Sequence, residues 1–115
     1  AAIVAKDYKL RDEQALIVKA NLSKVIGRKA ADYLRSGAKE ITDGNWANAH
    51  HALSEGYGFI LSLQYTMDPD TGAPYYSNTQ VKSMLDTFDS GNGFWDQKPD
   101  DLIKMAGDIE TKFKF

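Results

Sequence analysis

Gly56-Tyr57-Gly58-Phe59-Ile60-Leu61-Ser62-Leu63 is the stretch on which the fold turns. Wound as an α-helix it is apolar around most of its circumference, and a helix of that kind is buried on several sides. Asn45 stands where a side-chain cap belongs, so this helix is expected to span 46–66 and to lie at the centre of the domain. Gly56 and Gly58 each cost about 1 kcal/mol relative to Ala in a helix interior, and close backbone packing is expected to offset the loss.

Upstream, apolar residues recur at Ala15, Val18, Leu22, Val25, Ile26, Ala30, Tyr33, Leu34, Gly37 and Ile41, in the steps of three and four that mark a helical stripe. Asp43-Gly44 is a stop signal, so the first helix is expected over 10–42. Such a helix is about 45 Å long, whereas a compact domain of this size has a radius of gyration near about 13 Å. It therefore either breaks, at Gly27 or Ser36-Gly37, or overhangs and belongs to a larger bundle. An unbroken overhang would expose an apolar stripe and favour self-association.

Downstream, Asp68-Pro69-Asp70-Thr71-Gly72-Ala73-Pro74 is turn chemistry. Ser77 with Gln80 forms a capping box opening a third helix, 77–89, with Val81, Met84, Leu85 and Phe88 as its buried stripe. Pro99 begins a fourth, 100–113, with Leu102, Ile103, Ala106, Ile109 and Phe113 on one side. No segment alternates as a strand would. The expected fold is all-α: one four-helix-bundle-like domain over 1–115 with antiparallel neighbours, or a fragment of a larger helical-repeat protein. The absence of an initiator Met and the aromatic ending Lys112-Phe113-Lys114-Phe115 also suggest an excised piece.

Composition narrows the function. Hydrophobic residues are 43% and charged residues 26% of the 115, the usage of an ordinary globular chain. With 14 basic and 16 acidic residues, the charge of −2 gives no electrostatic case for nucleic acid. No apolar run is long enough to span a membrane. Without Cys there is no thiolate metal site or thiol nucleophile. Lys24, Arg28, Arg35 and Lys39, with Asp32 among them, read as a solvated face.

Two constellations carry chemistry. His51 and Glu55 are four apart on one helical face, the spacing that puts an imidazole and a carboxylate on one zinc or iron ion or lets the carboxylate orient the ring. Two ligands do not make a site, so a third from Asp86, Asp89 or Asp108 is required; the default is an i,i+4 surface pair. Trp46, Tyr75, Tyr76 and Trp95 could stack on sugars or on a partner protein, and equally could fold back to plug the core. Asp68-x-Asp70-x-Gly72 begins like a calcium loop, but Gly72 arrives one residue early and position 12 is Thr79, so it reads as a turn.

The run His51-Ala52-Leu53-Ser54-Glu55-Gly56-Tyr57-Gly58-Phe59-Ile60, followed by Leu63-Gln64-Tyr65 and the Tyr75-Tyr76-Ser77 helix start, resembles the C-terminal part of a bacterial family catalogued as domain of unknown function 4856. That resemblance implies a largely helical envelope lipoprotein, periplasmic in location, with an internal helical repeat of which this chain holds one copy. A looser likeness is to imelysin-like periplasmic proteins, whose motif is Gly-x-His-x-x-Glu; here the spacing is His-x-x-x-Glu and Ala49 stands two before His51.

The expected function is a non-enzymatic binding or assembly domain, with a protein partner or the rest of the parent chain as its contact and His51–Glu55 as a metal-linked site. The alternatives are a metal-dependent hydrolase domain and a carbohydrate-binding module using the loop aromatics.

Overall fold

The computed structural model describes all residues, Ala1–Phe115. Four α-helices follow one another: α1 Tyr8–Thr42, α2 Trp46–Ser62, α3 Asn78–Asp89 and α4 Pro99–Phe113. Short 3₁₀ turns at Leu63–Tyr65 and Gly93–Asp96 complete the chain, and there is no strand. The all-α expectation holds; α2 stops at Ser62 and not at 66, because the chain tightens there into the 3₁₀ turn Leu63–Tyr65.

α1 runs unbroken for 35 residues, so neither Gly27 nor Ser36-Gly37 divides it. Both glycines instead serve packing. A Cβ on Gly27 would sit 2.7 Å from three atoms of the Phe113 ring, and one on Gly37 would sit 2.6 Å from Leu53 Cδ2. These close approaches let α4 and α2 lie against α1. The helix ends where Gly44, at φ +76°, turns the chain. Gly44 N–H donates to the Ile41 carbonyl at 3.0 Å and Asn45 N–H to Glu40 at 2.8 Å, a pairing that satisfies the last orphan carbonyls.

Asn45 does not cap α2 with its side chain. Its amide donates to Glu40 Oε2 at 3.0 Å, because the tight turn brings that carboxylate within reach first. The capping box on α3 is present as expected: Gln80 N–H donates to Ser77 Oγ at 3.2 Å and Ser77 N–H to Gln80 Oε1 at 2.8 Å.

Neighbouring helices are antiparallel. The hydrogen bond between Tyr57 and Asp89 joins α2 near its middle to the end of α3, while Gln64–Asn78 joins the end of the α2 segment to the start of α3. Arg35–Glu110 and Gly27–Phe113 do the same for α1 and α4. In space the order is α3, α2, α1, α4, with an open groove floored by Tyr76, Met84 and Met105 between the outer pair.

The core is one cluster, with Phe88, Leu34, Leu53, Ile60, Leu63, Leu102, Ile109 and Val81 wholly enclosed. α2 is less deeply buried than its composition suggested. A Cβ on Gly56 would lie 3.3 Å from Tyr33 Cβ, but one on Gly58 would meet nothing within 4 Å, and Leu61 is 44% exposed. The reason is that α1, not α2, is the helix with two long partners.

The turn at Asp68–Gly72 is held by its own backbone. Gly72 N–H donates to the Asp68 carbonyl at 2.7 Å, Asp70 N–H donates to Asp68 Oδ1 at 2.9 Å, and Lys114 Nζ pairs with Asp70 at 3.0 Å. The loop is anchored to α1 through Met67 N–H, which donates to Ser23 Oγ at 2.8 Å.

Arg35 grips Glu110 with two hydrogen bonds of 2.9 and 2.7 Å, which hold the Glu110 carboxyl below its ordinary value of 4.5 against the opposing effect of partial burial. A carboxyl lowered in the folded state stabilises above that ordinary value and loses its contribution as pH falls through the folded one. With side chains 44% and 24% exposed, solvent screening limits the pair to about 1 kcal/mol or less. Urea midpoints followed down through pH 4.5 should therefore fall more steeply for the unmodified chain than for Glu110→Gln. Parallel acid limbs would show the bridge contributes nothing.

Candidate functional site

His51 and Glu55 both point to solvent from α2. Around Glu55 lies a shallow depression lined by Ser54, Gly58, Phe59 and Ser62. No third ligand arrives: nowhere do three His, Asp or Glu side chains gather. Of the expected donors, Asp86 pairs with Lys82 at 2.9 Å and Asp89 accepts the Tyr57 hydroxyl at 3.2 Å. Asp108 lies near Tyr76, where it adds to the effect of burial in raising that phenol to about 12. Within this chain His51 and Glu55 stand four apart on the exposed side of α2.

The four aromatic candidates separate. Tyr75 and Tyr76 are buried, Tyr75 stacked on Phe113 with centroids 3.9 Å apart, so both plug the end of the core. Trp46 and Trp95 do come together, at 5.6 Å and an interplanar angle of 33°, with Trp95 62% exposed. The two rings are tilted and not coplanar.

Beneath this pair lies a residue the sequence reading passed over. His50 turns inward and meets Trp95 at 4.3 Å, Phe94 at 6.0 Å and Trp46 at 6.2 Å, all edge-on. Its Nε2 is buried with no hydrogen-bond partner. The i,i+4 relation of Trp46 to His50 was the available signal, since that spacing places the two rings on one face.

An unpartnered buried nitrogen carries a desolvation cost of about 1–3 kcal/mol, and an apolar ring of similar shape removes it. His50→Phe should therefore leave the melting temperature unchanged or raise it. A loss of several degrees would mean Nε2 has a partner. His51→Ala, on the solvent side, should move the melt by less than about 0.5 kcal/mol, with or without chelator.

The widest departure from an ordinary domain surface is on α1. Leu16, Ile17, Val18, Leu22 and Val25 are 53–57% exposed, and Leu10 is 41% exposed. Every α1 residue from Tyr8 to Leu22 is exposed except half-buried Ala20. This half of the helix projects beyond the core and accounts for the 56 Å long axis against transverse extents of 25 and 21 Å. The basic residues nearby do not form a free cationic stripe: Arg28 pairs with Asp32 at 3.2 Å, Lys39 with Asp43, and Arg35 with Glu110. No helix is long and apolar enough to cross a membrane.

Fold and surfaces together define an all-α bundle in which one helix extends, apolar and unpaired, past its own core. The chain belongs to the family described as domain of unknown function (DUF4856), whose model matches residues 1–115. No curated protein and no solved structure matches it.

Proposed function

We propose that this chain is a non-enzymatic helical binding and assembly domain of a bacterial envelope protein, with the projecting half of α1 as its contact surface. The observation that carries the reading is the exposure of Leu16, Ile17, Val18, Leu22 and Val25 on one continuous helix. Apolar residues placed all round a helix need partners on more than one side. The partner is another helical body, from a separate protein or from the rest of a parent chain. The envelope location rests on the resemblance carried by His51–Ile60. Zinc or iron at His51 and Glu55, which lie beside the Tyr33–Gly37 end of α1 and not its projecting half, would draw its remaining ligands from another part of the parent chain.

The test is the triple variant Leu16→Gln, Ile17→Gln, Val18→Gln. At a concentration low enough to keep the chain single, a contact surface predicts an unchanged main melting transition together with loss of binding to the apolar dye 1-anilinonaphthalene-8-sulfonate. If instead the melt falls by several degrees, these residues belong to the fold and the reading fails.

A further inference from the structure

Three features of α1 bear on what covers its free half. The first is area. A folded 12.8 kDa monomer exposes about 6,300 Å² by the surface-to-mass relation, whereas this chain exposes 7129 Å². The excess of about 850 Å² matches one partner's share, about 800 Å², of a standard interface. The radius of gyration, 16.8 Å against about 13 Å for a compact chain of this length, assigns that excess to elongation.

The second is spacing. Ala15, Val18, Leu22 and Val25 follow steps of three, four and three, the seam of a two-helix coil, flanked at the same intervals by Arg11 and Lys29. This stripe lies on the side of α1 turned away from Ala30, Leu34 and Ala38, which face the core. It maps onto itself when residue i is set against residue 40 − i of an antiparallel copy. Val18 then meets Leu22, and small Ala15 meets larger Val25.

The third is a seat for the tip. Lys24, Val25, Arg28, Lys29, Asp32 and Phe115 line a depression where α1 enters the bundle, and Phe115 is 47% exposed. In the same register the tip of a second copy, from Tyr8 to Leu16, runs alongside this depression at the level of residues 24–32. It also sets acidic Asp12 level with basic Arg28, while Arg11 comes level with Lys29 at each end of the seam.

We infer that the free half of α1 pairs antiparallel with α1 of a second copy of this chain, with Val18 opposite Leu22 and the tip resting on Phe115. The inference rests on the contact-surface reading above and names its occupant. It makes the protein an isologous dimer held by two equivalent seats.

Sedimentation of the intact chain over a range of concentrations tests it. The expected result is a species of two chains that Val18→Glu with Leu22→Glu converts to one chain, raising the dissociation constant about 100-fold or more by burying unpaired carboxylates. Both positions are already solvent-facing in the single chain, and an unchanged cooperative melt of the core confirms that the variant folds. Register is read separately. The chain has no Cys, so an oxidised equimolar mixture of Val18→Cys and Leu22→Cys chains should yield mainly the mixed 18–22 cross-link. Predominant 18–18 and 22–22 products would overturn the antiparallel pairing.

A strictly monomeric chain overturns the dimer. If that monomer still binds the apolar dye through α1, the contact-surface reading stands and its partner is a different protein. If the dye binding is also absent, both readings fall.

Discussion

Phe88→Ala is expected to cost about 3–5 kcal/mol, the range for truncating a large buried aromatic, because deletion removes transfer energy and leaves a cavity. Phe88 is 1% exposed and meets Tyr57 and Phe94 edge-on, at 6.0 and 5.9 Å. It is also the last buried residue of α3, whose other enclosed side chains are Val81 and Leu85. α3 packs on α2 and on the two 3₁₀ turns and has no comparable contact with α4. Domains of this size have about 5–15 kcal/mol in total, and 1 kcal/mol moves the midpoint by roughly 4 °C. A thermal melt should therefore fall by about 12 °C or more. A shift below about 4 °C would mean that the aromatic cluster closes over the cavity and that Phe88 is not a keystone.

The second large effect is a contrast between two helical glycines. Gly37→Ala places a Cβ 2.6 Å from Leu53 Cδ2 and 3.0 Å from Leu53 Cγ, and Leu53 is wholly buried. Leu53 cannot swing into solvent, so α1 and α2 must separate or the side chain must leave its rotamer. Overpacking of this kind costs about 1–3 kcal/mol, which outweighs the gain of about 1 kcal/mol in helix propensity. Gly58→Ala meets nothing within 4 Å and keeps the propensity gain, so it should stabilise by up to about 1 kcal/mol. Urea unfolding of the two variants side by side should give midpoints displaced in opposite directions. Displacement in the same direction would show that close helix approach does not govern Gly37.

That contrast also marks where the sequence was legible. Four helices, the Ser77–Gln80 box and the Pro99 start were readable because capping and periodicity are local. Whether Gly27 breaks α1 was not, since the answer lies in Phe113, distant in sequence and packed against it. Both readings of α1 began from the same length mismatch, and the packed glycines decide for the overhang. Pairing was the least legible level. His51 and Glu55 share a face on any helical wheel, but no wheel tells which face meets water. His50, next in sequence, is the one that turns inward to Trp95. Likewise Tyr75, Tyr76 and Trp95 looked equivalent in their loops and separate only once Tyr75 finds Phe113.

The long reach of α1 also changes how its first half exists. Some fifteen residues of helix alone in water are marginal, because nucleation costs more than a few propagated bonds return. In this chain the nucleus is supplied without charge to the tip: the turns around Leu34 are fixed by the core, and helix grows outward from them one residue at a time. The tip therefore melts by fraying inward from Tyr8, gradually and ahead of the cooperative loss of the core. Its helicity is set by temperature, salt and whatever covers it. Docking on that surface and finishing the helix become a single event, in which part of the binding energy is spent on order and the remainder appears as affinity.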